Sequence, residues 1–385
     1  MTVHPLVFTG SYTHETGGRG EGVTAYRRDP ATGALERLSA LAVPAPSFLA
    51  RHPRLPVLYA VNEHGEGGVT ALAVDESDGS MERFGDPLPS GGADPCHLVV
   101  AEDGRHLLVA NYTGGSAAVF ALTPDGRLAE RTDLVHGQGH GPNRERQDGP
   151  HVHMVVPGPD RLYSMVDLGT DEIRSYRLGQ DGRLVAVATG TLPPGTGPRQ
   201  LLRSGDGRTA WMLAELGSVL GRLEETAPGE LKLVGTVEAS AAEGGRPGEN
   251  LPAQLLMATP AGAGGGAGEG EGEGEGEGER LLFASNRGAN TVAVFRDRVG
   301  GPAPAAAGPS EGAGGPSAGA GLPVPVGEYP CGVDWPRHMA LLDGFLYVAG
   351  ERSHAVAVHA VDPATGALRQ VHTLPVGSPT CVLGW

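Results

Sequence analysis

The chain is short of cysteine, aromatic side chains, basic residues and long apolar runs, and each shortage excludes something. Three cysteines in 385 residues, Cys96, Cys331 and Cys381, are odd in number and lack CxxC spacing. They therefore suggest neither a disulfide framework nor a zinc knuckle, and read as reduced small hydrophobes. No segment approaches the roughly 18 consecutive apolar residues of a membrane span, and the start MTVHPLVFTGSY lacks a basic segment followed by a long apolar one. The expectation is a soluble, cytoplasmic protein with no membrane partner. Lys and Arg total 29 against 45 Asp and Glu, a formal charge of -16. That balance argues against a nucleic-acid or anionic-membrane partner, which needs a basic surface to displace counterions or meet lipid phosphates. Six of the charges sit in one glutamate run, so the folded part is only mildly acidic.

What the chain has in quantity is glycine and proline, 63 and 32 residues. That level signals disorder when no period accompanies it. Here a period is present. Short apolar runs with polar endings recur seven times: LVFTGS, LYAVNE, LLVANY, YSMVDL, WMLAEL, LFASNR and LYVAGE, ending at Ser11, Glu63, Tyr112, Leu168, Leu216, Arg287 and Glu351. A proline followed by apolar positions also recurs seven times, at Pro46, Pro95, Pro150, Pro198, Pro252, Pro336 and Pro379. Turns such as DPATGAL, at Asp29 and again at Asp362, punctuate the repeats.

Each repeat of about 48 residues reads as four short strands joined by Asp, Gly and Pro turns, the pattern of a propeller blade. The chain opens on a second-strand element and closes on a first-strand one, PTCVLGW. The fold class expected is all-β: a seven-bladed β-propeller of four-stranded antiparallel blades, its ring closed by the C-terminal strand joining the N-terminal blade. Closure removes exposed sheet edges. Residues 1–385 then form one domain, and a monomer is the default. Two separate β-sandwiches would not repeat all three elements in one order. Two low-complexity inserts, 261–279 and 300–321, bury too little apolar surface to order themselves. They are expected to be disordered, to project from the face opposite the site, and to carry no chemistry.

The proline elements and the polar strand ends fall on one face of the ring. Counting from the prolines, with one extra residue in the repeat PHVHMV, sets His97, His153, Gln200, Gln254 and His338 at equivalent channel positions beside Phe48 and Cys381. Arg199, Arg337, Glu215 and Arg287 stand next to them. His151 lies two residues from His153 and so on the same side of an extended strand. The lengthened crossover 136–149 leans over the mouth and brings Arg146. Histidine, carboxylate and several arginines together suit attack on an ester carbonyl beside an anionic group: arginine forks hold the anion and the developing oxyanion, and a histidine moves the proton. The glutamate can fix the histidine's tautomer or act as a second acid. No GxSxG elbow is present, so water or the substrate's own oxygen is the nucleophile. A zinc set of His151, His153 and Glu215 is conceivable, but the arginines beside it would repel the cation. Gln254 and Cys96 read as structural, and Tyr112 and Asp167 as turn or blade-locking residues.

The strings PCHLVVAEDGRHLLVANYTGGS, RQDGPHVH, DLGTDEI, GTGPRQLL, AELGS and SNRGANTVAVF closely resemble the seven-bladed propeller lactonases. That group contains the propeller-type 6-phosphogluconolactonases and fungal carboxy-cis,cis-muconate cyclase. The resemblance runs from near Thr9 to the C-terminus apart from the inserts. It implies a metal-independent, cofactor-free site whose catalytic residues carry over to His153, with His151 as alternate, Glu215, Arg199 and Arg287. Where the family usually reads GPRH this chain has GPRQ, with Gln200 at a pocket-lining position.

The function expected is hydrolysis of an anionic sugar-acid lactone such as 6-phosphoglucono-δ-lactone. Arg199 and Arg287 bind the anion and polarise the carbonyl, His153 activates water, and Glu215 orients it or protonates the leaving oxygen. His151, His97, Arg146, Gln200, Arg337 and His338 complete the substrate-binding set. With a base of ordinary pKa, activity should fall below about pH 6 to 6.5. The alternatives are a muconate-type lactonising cycloisomerase and a non-catalytic propeller that binds a peptide or protein.

Overall fold

The computed structural model describes residues 5–258, 279–298 and 321–385. The two inserts therefore lie, apart from Glu279 and Gly321, outside the described residues. Seven sheets form the molecule. Blade 1 runs Leu6–Ser11, Val23–Arg28 and Leu35–Leu41 and takes Pro379–Gly384 as its innermost strand. Phe8 pairs Leu383 and Gly10 pairs Cys381, so the last strand closes the ring on the first as expected. The inner strands of blades 2 to 7 are Leu49–Arg51, Pro95–Val100, Val152–Gly158, Pro198–Arg203, Leu251–Ala258 and Pro336–Leu342. Each pairs antiparallel with the apolar run that follows it. In blade 2 the outermost strand is split into Met81–Arg83 and Leu88–Pro89.

The core lies between blades rather than within them. Second strands are buried on both faces, which is why they read as continuous apolar runs rather than alternating ones. In blade 5, Met212 and Ala214 pack toward Val166 and Ile173 of blade 4. Trp211 and Leu213 point the other way, onto Leu282 and Phe295 of blade 6. Each such side chain contributes roughly 1.5–3 kcal/mol by leaving water. The two DPATG turns fold alike: Asp29 Oδ1 accepts the Ala31 amide and Asp362 Oδ1 accepts that of Ala364, both at hairpin tips. Gly33 and Gly366 close them at φ +74°, a conformation that costs glycine little.

Two backbone features aim side chains at the channel. The residue before the inner-strand proline has positive φ in Ala45, Asp94, Trp335 and Ser378. Non-glycine residues in this region cost of order 1–3 kcal/mol each and tend to mark functional surfaces. The second feature is a register slip at the same point of the inner strand in six blades. Such bulges insert one residue and re-aim it. Here the inserted residues include Cys96, His153, Arg199, Arg337 and Thr380, all of which line the channel pocket.

The same register corrects the proline count. Val152 pairs Asp167 as Pro95 pairs Asn111, so Val152, not Pro150, is the counterpart of Pro95. The repeat PHVHMV thus carries two extra residues, and Met154 rather than His153 stands level with His97, Gln200 and His338. His153 belongs one layer higher, with Arg199 and Arg337.

Candidate active site

Glu215 follows the second strand of blade 5 and is 1% exposed. Three arginines converge on it. Arg199, from the inner strand of its own blade, donates to Oε2 at 2.8 Å. Arg287, at the end of the second strand of blade 6, donates to Oε2 at 2.5 Å, and Arg146, from the crossover loop, donates to Oε1 at 2.5 Å. Backbone carbonyls fix two of these forks: Arg199 Nε donates to Ala253 at 2.9 Å and Arg287 Nε to Leu251 at 2.8 Å. The indole of Trp335 covers Arg287, 5.5 Å from ring centre to Cζ.

His153 joins through Arg199, whose Nη1 donates to His153 Nε2. The imidazole is thus a neutral acceptor. Burial, reinforced by the adjacent Arg199 charge, holds its pKa well below 6.5. Burial alone would raise the Glu215 carboxyl, but Arg287, Arg199 and Arg146 outweigh it and hold the pKa well below the ordinary range. Burial pulls Arg287 down to about 9, which leaves it cationic at neutral pH.

The catalytic quartet expected from sequence therefore comes together, with one difference: Arg199 stands between His153 and Glu215. His151 stands apart from the quartet. Its Nδ1 lies 3.1 Å from the Tyr112 carbonyl oxygen, its Nε2 3.1 Å from Asp148, and its ring stacks on Tyr112 at 4.6 Å. Tyr112 also meets His153 edge-on and its hydroxyl accepts from Arg146, so it belongs to the site rather than to a turn. Asp167 locks its blade, accepting from the His151 and Gly169 amides and from Arg174. Arg146 is presented by a folded loop. Gln147, fully buried, donates to the Leu168 carbonyl at 2.9 Å and anchors the segment beneath it.

The deeper polar layer straps blades together. His97 Nδ1 accepts the Val155 amide of the next blade, Gln200 Oε1 that of Leu255, and His338 Nδ1 that of Val382. The three amides occupy one equivalent position. Gln200, at the position where blades 3 and 7 carry His97 and His338, thus keeps an acceptor in place. Cys96 packs, its thiol donating to the His153 carbonyl at 3.3 Å.

Sequence reasoning placed Arg337 in the site but missed its partners on the opposite arc of the mouth, Tyr12, Glu63 and Glu351. Arg337, from blade 7, donates to the Tyr12 hydroxyl at 2.5 Å and to Glu351 at 3.3 Å, and lies 3.6 Å from Glu63. The Tyr12 hydroxyl in turn donates to Glu63 Oε1 at 2.7 Å. Tyr12, Glu63 and Glu351 each end or follow a second strand, the position that yields Glu215 and Arg287. Applying that criterion to every repeat would have found them. Glu63 and Arg337 line the same pocket as His153 and Arg199. Among the described residues no group of three or more His, Cys, Asp and Glu is placed to hold a metal ion, and no helix is long and apolar enough to cross a membrane.

A family model described as lactonase, 7-bladed beta-propeller, matches residues 6–302 and 318–384. The chain belongs to that family. It is 27% identical to 6-phosphogluconolactonase of Bacillus subtilis over 383 residues, 97% of each chain. The periplasmic gluconolactonase of Pseudomonas aeruginosa superposes with a TM-score of 0.82 at 27% identity, over 99% of this chain and 98% of that one. A Lactobacillus plantarum protein superposes with a TM-score of 0.81 at 26% identity, over 99% of each chain.

Proposed function

We propose that this chain is a lactone hydrolase acting on an anionic sugar-acid lactone, with 6-phosphoglucono-δ-lactone the leading substrate. The family, and relatives named for lactonase activity, support hydrolysis of a lactone. The observation that carries the chemistry is the neutral His153 sharing Nη1 of Arg199 with Glu215. When a lactone carbonyl enters, its oxygen takes the Nη1 hydrogen of Arg199 that His153 now accepts, which frees His153 Nε2 for water. Water adds to the carbonyl carbon, His153 takes its proton, and Arg199 holds the oxyanion. The ring C–O bond then breaks, and His153 returns the proton to the leaving oxygen. The product carboxylate forms among arginines that already favour an anion.

Glu215 takes a different part from the one its sequence position suggests. It is held ionised among three guanidiniums and has no proton to give, so it positions the arginines. Arg287 and Arg146 supply the charge that draws in the anionic group. The route uses no metal. A cytoplasmic compartment remains the reading for this chain, supported by three unpaired, buried cysteines; fractionation tests it.

The experiment is the hydrolysis rate of freshly generated 6-phosphoglucono-δ-lactone, corrected for spontaneous opening and run with and without chelator. Chelator-resistant turnover that disappears in His153→Ala supports the reading. Chelator-sensitive turnover would replace it with metal chemistry, and absence of turnover would move the substrate to a different lactone or to muconate-type cyclisation.

A further inference from the structure

The pocket has two unlike walls. On the arc of blades 4 to 6, three guanidiniums surround one carboxylate, Glu215, beside a neutral imidazole. On the arc of blades 7, 1 and 2, two carboxylates, Glu63 and Glu351, share one guanidinium, Arg337, with the Tyr12 hydroxyl between blades. The first wall is net cationic and the second net anionic. His153 and Arg199 line the pocket on one side, Glu63 and Arg337 on the other. The contacts of Glu63 among the described residues run through Oε1. Its Oε2 remains an acceptor for a ligand, since a carboxylate can take several donors.

A six-membered aldonolactone has a matching asymmetry. Its ester carbonyl and the carbon bearing the side arm both flank the ring oxygen, so the reacting bond and a terminal anionic group occupy one edge. The ring hydroxyls occupy the other edge and are donors. We propose that Glu63, oriented by Tyr12 and by the Arg337–Glu351 pair, is a specificity residue that accepts hydrogen bonds from the hydroxyl edge of the lactone and repels ligands carrying a second carboxylate there. This rests on the lactonase reading for the site and sharpens it: the preferred class is a polyhydroxylated lactone with its charge confined to the ester edge. An unsaturated polycarboxylate of the muconate type carries charge to both walls and is disfavoured.

The test compares Glu63→Gln with the parent protein on glucono-δ-lactone and on δ-valerolactone, which has the ester but no hydroxyls. The KM for the hydroxylated lactone should rise about tenfold more than that for the bare one, the scale of losing a charge-assisted hydrogen bond. In parallel, calorimetric titration with glucarate, a polyhydroxy dicarboxylate, should show binding about tenfold tighter in Glu63→Gln than in the parent. Glu351→Gln, which loosens Arg337 from the other side, should shift both ratios in the same direction by less. Equal KM changes for the two lactones together with unchanged glucarate affinity overturn the proposal. A parent protein that opens neither of these lactones nor 6-phosphoglucono-δ-lactone defeats the lactonase reading instead, and the glucarate titration still decides whether Glu63 repels a second carboxylate.

Discussion

Nη1 of Arg199 stands 2.8 Å from Oε2 of Glu215, across two adjacent strands of one blade, and this contact organises the cationic wall. Arg287 bonds the same oxygen and His153 hangs from the same nitrogen. One carboxylate thus sets the geometry of both Arg199 and His153, the proposed electrophile and base.

Glu215→Gln should therefore act on both rate and stability. We expect kcat/KM to fall by about 10²–10³-fold, the cost of misplacing an oxyanion donor. Three guanidiniums left around a neutral amide should also lower stability by about 3–5 kcal/mol. Steady-state kinetics and urea unfolding measure the two effects, and far-UV circular dichroism should still report the strands. Wild-type turnover in this variant would falsify the positioning role.

The depressed pKa of His153 moves the expected pH dependence. The acid limb of kcat/KM should lie below the ordinary value of 6.5, not at it, because the imidazole stays neutral there. In the unfolded chain the same histidine protonates near 6.5, so the unfolded state binds more protons below that pH. Stability is then full above 6.5 and declines as pH falls through it. Glu215 adds a second decline below its ordinary 4.5, where the unfolded carboxyl protonates and the folded one does not. A pH–rate profile and unfolding midpoints from about pH 2.5 to 8 check both. An acid limb at or above 6.5 would count against a desolvated base.

Arg146 separates binding from chemistry. Its side chain keeps 35% exposure, and it reaches Glu215 from a loop rather than a strand. In Arg146→Ala we expect KM for an anionic lactone to rise about tenfold, with a smaller change in kcat, and the salt dependence of kcat/KM to weaken because one screened charge is gone. Rate measurements at low and high ionic strength decide it. An equal fall in kcat would instead place Arg146 at the reacting atoms.

His338 tests the strapping layer. His338→Ala leaves the Val382 amide without its acceptor, at a cost of about 1–3 kcal/mol. His338→Gln should recover most of that loss, because Gln200 does the same task at the equivalent position of blade 5. Thermal unfolding of both variants makes the comparison. Equal destabilisation would show that ring packing against Phe48, not the acceptor, is what matters.

Much of the fold was legible because its periods are local. Apolar second strands, inner-strand prolines and Asp-Gly turns each recur with the blade, and each follows from backbone preference or burial. The quartet was legible for the same reason, since Glu215 and Arg287 fall at repeat-equivalent places. Less legible was anything that depends on a one-residue slip. The level of His153 could not be counted from Pro150, because a bulge and a longer crossover both displace it and neither has a composition of its own. The wedge of Arg199 between His153 and Glu215 was hidden for a related reason: side chains from different strands compete for one carboxylate, and only geometry ranks them. Tyr12, Glu63 and Glu351 were readable in place but silent in meaning until Arg337 tied them together.

The pairing of Pro379–Gly384 with Leu6–Ser11 also constrains how the molecule is made. During synthesis Leu6–Ser11 emerges early, and it waits for its inner partner until the rest of the ring has been translated. For that interval an apolar, buried-type strand offers an unpaired edge to whatever is near. Tyr12, immediately beyond that strand, meets Arg337 only once the ends have met. The Tyr12–Arg337 arc of the pocket should thus assemble late, once Pro379–Gly384 is available to pair.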